Sequence, residues 1–99
     1  MVKIVKIHGN YCGANWTHGR AIPASRYFEF DEVVPIDDLD RACQAHDRDC
    51  SQGGCSAKGD RLLAARALRV ALTTRSAVLA KKAQLIAAGI SAASLTRSR

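Results

Sequence analysis

Four cysteines, at positions 12, 43, 50 and 55, stand in a chain of 99 residues that has little else to brace it. Two Phe, two Tyr and one Trp leave a core of mostly Ala, Leu, Val and Ile, which limits the chain to one small domain. A core of that size is commonly reinforced by disulfides or by a metal. Four cysteines allow three pairings, and the positions alone do not choose among them.

The segments between the cysteines set the expected elements. Residues 2–7 (VKIVKI) have strand propensity and lead into HGNYCGANWTHGR, where Gly9, Gly13 and Gly19 mark a tight loop at 9–19. Residues 26–34 (RYFEFDEVV) alternate apolar and charged residues and read as a short strand or a folded insertion, ended by Pro35. Asp37 or Asp38 is placed to cap a helix over about 37–50, on which Leu39, Cys43, His46 and Cys50 share one face and Asp47 lies about 100° round from His46. The two glycines of SQGGCSAKG (51–59) end that helix, and a second helical region is expected from about 58–60 to 90. Within it Leu62, Ala65, Leu68 and Leu72 have core spacing, Arg66, Arg69 and Thr73 lie on another side, and Thr73–Ser76 is a candidate bend. Residues 1–90 are thus one domain, followed by a frayed basic tail at 91–99.

Charge divides the chain. Residues 1–55 hold six Lys/Arg against eight Asp/Glu, and residues 56–99 hold nine against one, giving −2 and +8. The first half suits a cation and the second an anionic partner, either an acidic phospholipid surface or nucleic acid. The few aromatics offer no base-stacking platform, which counts against nucleic acid. No apolar run approaches the roughly 18 residues of a membrane span, and MVKIVKI is not a signal-peptide core. If the cysteines are paired, the chain has lost a signal, belongs to a longer polypeptide, or reaches an oxidising space by another route.

Alone, the His46-Asp47 dipeptide reads most simply as a solvated helix pair. A zinc clamp of Cys43, His46, Cys50 and Cys55 supplies the right donor types, but its spacing fits no familiar finger and leaves Cys12 unused. One arrangement uses every piece: loop carbonyls and a carboxylate form an oxygen cage for Ca²⁺, beside a histidine oriented by a second acid, Asp60. His8 and His18 read as ordinary loop histidines. Trp16 reads as a core anchor or an interfacial residue, and the Asn15-Trp16-Thr17 glycosylation pattern as accidental.

At YCGANWTHG (11–19) and LDRACQAHDRDC (39–50) the sequence resembles the secreted phospholipase A2 family, with its Tyr-Cys-Gly calcium loop and Cys-x-x-His-Asp helix. The resemblance covers residues 9 to about 65 and implies a mainly α, disulfide-braced fold with roughly antiparallel catalytic helices. It implies that His46 is the general base for water attacking the sn-2 ester of a glycerophospholipid. Asp47 and the carbonyls of Tyr11, Gly13 and Asn15 would hold Ca²⁺, the Gly13 amide would face the oxyanion, and Asp60 would orient His46. It further implies a Cys12–Cys43 disulfide, leaving Cys50 to pair with Cys55, and a secreted or otherwise extracytoplasmic enzyme working at a phospholipid surface.

Four positions depart from the family pattern. Ala42 stands in place of one of two adjacent cysteines, Asp49 where a further cysteine is common, and Asn15 where glycine is frequent in the loop. Cys50 stands where a tyrosine often supports the aspartate network. These departures leave open a catalytically silent relative, or a zinc-clamped basic module that binds anionic membranes or nucleic acid.

Overall fold

Asp37 and Asp40 decide where the first long helix begins and what it collects. The computed structural model describes residues 3–99; Met1 and Val2, the latter part of the expected strand, lie outside them. Helix α1 spans Asp38–Cys50, and the Asp37 carboxylate caps it by accepting the Asp40 amide at 2.9 Å. The Asp40 carboxylate is fully buried and turns back onto the preceding chain, accepting the amides of Asn10, Tyr11 and Ile36 at 2.9–3.0 Å. Three backbone donors and the positive end of the α1 dipole offset the cost of burying that charge.

The loop it holds connects two short antiparallel strands, β1 (Val5–His8) and β2 (Cys12–Ala14), paired Val5 to Ala14 and Lys6 to Gly13 with an irregularity before His8. Gly9 and Gly13 have positive φ of 58° and 146°. A β-carbon at Gly9 would strike the Asp40 carboxylate, and one at Gly13 the Val5 carbonyl, so both positions exclude larger residues. His8 Nε2 donates to Asp37 at 2.6 Å, and Lys82 Nζ lies 3.4 Å from His8 Nδ1. Because an ammonium can only donate, Nδ1 is the acceptor, and this loop histidine ties β1 to α1 and α3.

Of the two readings of residues 26–34, the strand does not form and the folded insertion does. A 3₁₀ helix covers Ala24–Glu29, where Tyr27 is fully buried and Phe28, about a third of a turn round the helix, is exposed. His18 is buried as well, with Nε2 donating to the Tyr27 carbonyl at 2.7 Å, and this bond pins the excursion to the glycine loop.

Helix α2 is Ala57–Thr73, capped by Ser56, and α3 is Ala77–Ser94, capped by Ser76, with the expected bend between them. Helix α2 therefore starts a turn before Asp60. It runs roughly antiparallel to α1: His46 meets Asp60 at one end, and Asp38 and Arg41 face Arg69 and Thr73 at the other. Besides Asp60, its buried residues are Leu63, Ala64 and Ala67, whereas Leu62, Leu68 and Leu72 are exposed. Two stripes about 100° apart both have helical spacing, and α2 takes the one whose alanines permit close approach to its neighbours. The core joins Tyr11, Tyr27, Leu39 and Cys43 to Leu63, Ala67, Ala83 and Ile86.

The expected frayed tail is not what forms. Helix α3 continues to Ser94, and the Arg99 carbonyl accepts the Ala57 amide at 2.9 Å, one of the donors left open at the start of α2. Two disulfides, Cys12–Cys43 and Cys50–Cys55, complete a small, mainly helical, disulfide-braced domain. No helix among the described residues is long and apolar enough to cross a membrane.

Asp40→Ala is expected to destabilise the fold by about 3–5 kcal/mol in urea unfolding, the scale of removing one side of a buried charged arrangement. The two disulfides, with sequence separations of 31 and 5, should contribute unequally. On the chain-entropy model the longer loop is worth about 3–4 kcal/mol and the shorter about 2 kcal/mol, so the Cys12→Ser/Cys43→Ser protein should unfold at lower urea than Cys50→Ser/Cys55→Ser.

Candidate active site

His46 sits one turn beyond Cys43 on α1, and its Nε2 lies 2.6 Å from Asp60 Oδ1. Asp60, in the first turns of α2, is fully buried, and its Oδ2 accepts from Arg97 Nε at 2.6 Å. A carboxylate facing a guanidinium accepts from both neighbours, so the imidazole proton is on Nε2 and Nδ1 carries a lone pair. That is the tautomer a general base needs. Cys50 Sγ, bonded to Cys55, lies 3.7 Å from Nδ1 and forms one wall beside it.

Asp47 is also buried, and among the described residues its one hydrogen-bond donor is the Thr17 hydroxyl at 3.2 Å. Burial pushes its carboxyl well above the usual carboxylate range; the Thr17 hydrogen bond opposes this and the nearby Asp40 charge adds to it. A buried carboxylate with only a neutral hydroxyl for company is electrostatically unfinished, a condition a cation relieves. The Cys12–Cys43 bond joins β2 to α1, and residues 11–15, His46 and Asp47 line one cavity of about 450 Å³. Its other walls are largely apolar, with Ile7, Leu63, Leu85, Ile86 and Ile90, and Arg97 stands at its edge.

All the sequence-predicted site residues except Asp60 line this cavity, and Asp60 lies directly behind His46. Tyr11, Gly13, Asn15 and Asp47, the residues whose carbonyls and carboxylate the resemblance assigns to Ca²⁺, all line it. The Tyr11 phenol takes no part in that set: it donates to the Val33 carbonyl at 2.6 Å, and burial pushes its pKa up. Asn15 takes a left-handed φ of 54°, which asparagine tolerates, and its side chain donates to the Lys3 carbonyl at 2.6 Å.

The zinc clamp does not hold together, because Cys43 is bonded to Cys12 and no described cysteine is free. His46, Cys50 and Cys55 do bring one ligand-type atom each within 4.8 Å of one another. With the two sulfurs joined, neither has the thiolate that a zinc ion requires.

No family model, curated protein or solved structure matches the chain.

Three contributors escaped the reading of the sequence. Thr17 is a single loop hydroxyl with no pattern around it. Asp40 was one acid among several at a helix start, and Arg97 lay in the segment expected to fray. The departure at Asp49 does have a structural use. Burial pushes its carboxyl up, but the Ser56 amide and hydroxyl, at 2.8 and 2.9–3.0 Å, outweigh that and hold it below the usual range. The clamp ties the end of α1 to the start of α2.

Because Asp47 is raised above its unfolded value, its contribution to stability without a cation is greatest below the ordinary carboxylate range and is lost as pH rises through the folded value. In chelator, Asp47→Asn should therefore melt above wild type, by a margin that widens as pH rises from about 4 to 8. Excess Ca²⁺ should raise the melting temperature of wild type only, which calorimetry over that pH range would register.

Proposed function

We propose that this protein is a Ca²⁺-dependent phospholipase A2 of the secreted type, hydrolysing the sn-2 ester of glycerophospholipids. The observation that carries the proposal is the shared cavity: a base-ready His46, an unbalanced Asp47 carboxylate and the glycine loop meet at one end of an apolar space. The space is lined by α3 side chains suited to an acyl chain, and the two disulfides fit an oxidising, extracytoplasmic setting.

In the proposed reaction His46 Nδ1 takes a proton from a water as its oxygen bonds to the ester carbon. The same proton then passes to the departing glycerol oxygen as the ester C–O bond breaks, leaving a fatty acid and a lysophospholipid. Asp60 keeps the imidazole in the required tautomer and faces the positive charge it acquires. The Gly13 amide donates to the oxyanion. The ligands for Ca²⁺ are the carbonyls of Tyr11, Gly13 and Asn15 with Asp47, and the bound ion would supply the positive charge that polarises the ester carbonyl. The basic α2 and α3 would favour an anionic surface, each Lys or Arg near it adding about 1 kcal/mol.

Fatty-acid release from defined phospholipid vesicles in millimolar Ca²⁺ tests the reading. Release should stop with chelator and fall at least ~10³-fold in His46→Gln, the scale of losing a general base. Wild type that releases nothing, or His46→Gln that matches wild type, would end it.

A further inference from the structure

Asp60 has two oxygens, and the resemblance accounts for only one of them. The other is held from the far end of the chain: Arg97 Nε lies 2.6 Å from Oδ2, across 37 residues of sequence. Asp60 is fully buried and the Arg97 side chain is only 29% exposed, so this ion pair is largely shielded from water. We propose that Arg97 is a positioning residue of the active site, and that residues 95–99 form a latch that keeps the Asp60 carboxylate aligned on His46. This inference deepens the esterase reading and rests on it for its kinetic consequences, though not for its structural ones.

A carboxylate held at one oxygen can rotate about its Cβ–Cγ bond and swing that oxygen away from the imidazole. Held at both oxygens by groups on different elements, it cannot rotate without breaking one of two charge-assisted bonds. Arg97 also compensates the buried negative charge, which His46 alone does only while protonated. Cys50 occupies the position where the family often places a tyrosine for the aspartate network, and Arg97 lines the same cavity.

The latch has its own fastening. The Arg99 guanidinium donates to the Asp49 carbonyl at 3.1 Å and to the Gly54 carbonyl, lies 3.8 Å from the Asp49 carboxylate, and its own carbonyl accepts the Ala57 amide. These contacts fix residue 99 against the α1–α2 junction. Arg97, two residues earlier, then has a short and defined reach to Asp60. The pairing is thus built on a fixed backbone, unlike a surface arginine that happens to find an acid.

Nitrogen-15 NMR of the His46 ring in intact, oxidised protein tests this without requiring activity. Wild type should show one tautomer, protonated at Nε2, with a strongly deshielded N–H proton. Arg97→Ala should show mixed tautomers and lose that proton to exchange, while Arg97→Lys keeps most of it. On a monomeric phospholipid ester with saturating Ca²⁺, Arg97→Ala should lose about 10–100-fold in kcat with KM within twofold, the usual scale for a group acting through a ligand or base. Added methylguanidinium should restore part of the loss. If Arg97→Ala fails to fold, Arg97→Gln carries the same measurements. A variant with the wild-type tautomer and wild-type kcat overturns the proposal, as does a loss confined to KM. Should wild type prove inactive on every ester, the enzyme reading fails, while the tautomer result still decides the role of Arg97.

Discussion

A single buried carboxylate, that of Asp40, sets the terms for the N-terminal half. It accepts amides from a loop thirty residues earlier and from the residue that leads into its own helix, and it fits only because Gly9 leaves it room. Charge buried in this way is tolerated when every lone pair has a donor, and the backbone supplies those donors at fixed angles. The loop thus inherits the rigidity of α1, and the Cys12–Cys43 bond fixes the same relation covalently a short distance away. The loop therefore keeps a set distance from His46 and Asp47.

The second organising feature is the junction of α1 and α2. Four residues separate Cys50 from Cys55, and there the chain reverses and the disulfide closes, while just outside them Asp49 holds Ser56, the cap of the next helix. Helix α2 is capped and oriented at the end nearest the histidine, so Asp60 meets His46 on well-anchored backbone at both sides. The opposite charges of the two halves meet here too: the acidic first half contributes Asp49 and the basic second half Arg99, while Arg97 pairs with Asp60, the one acid of its own half.

The parts of this arrangement legible in sequence were those governed by local rules. Helix α1 followed from a cap, a periodic face and a glycine pair. The cysteine pairing followed from a resemblance, since spacing alone leaves three choices open. What stayed hidden was set by packing between distant segments. Helix α2 offered two stripes of equal periodicity, and only the fit of Ala64 and Ala67 against neighbours picked between them. The segment 26–34 alternated like a strand as much as it suggested a folded insertion, and the burial of Tyr27 with its carbonyl bonded to His18 goes with the insertion. Arg97 looked like one more solvated cation because its partner is 37 positions away, and no period or motif spans that distance.

The separation of partners along the chain also governs when they can meet. Helices α2 and α3 are neighbours joined by a three-residue bend, and contacts of that kind form early because little loop entropy opposes them. The bonds that finish the cleft are of the opposite sort: Lys82 reaches His8 across 74 residues and Arg97 reaches Asp60 across 37. A chain emerging from the ribosome therefore carries its histidine and its acid long before it carries the arginine that aligns them. In the order of synthesis, the buried Asp60 carboxylate waits for its guanidinium partner until the rest of α2 and all of α3 have been made.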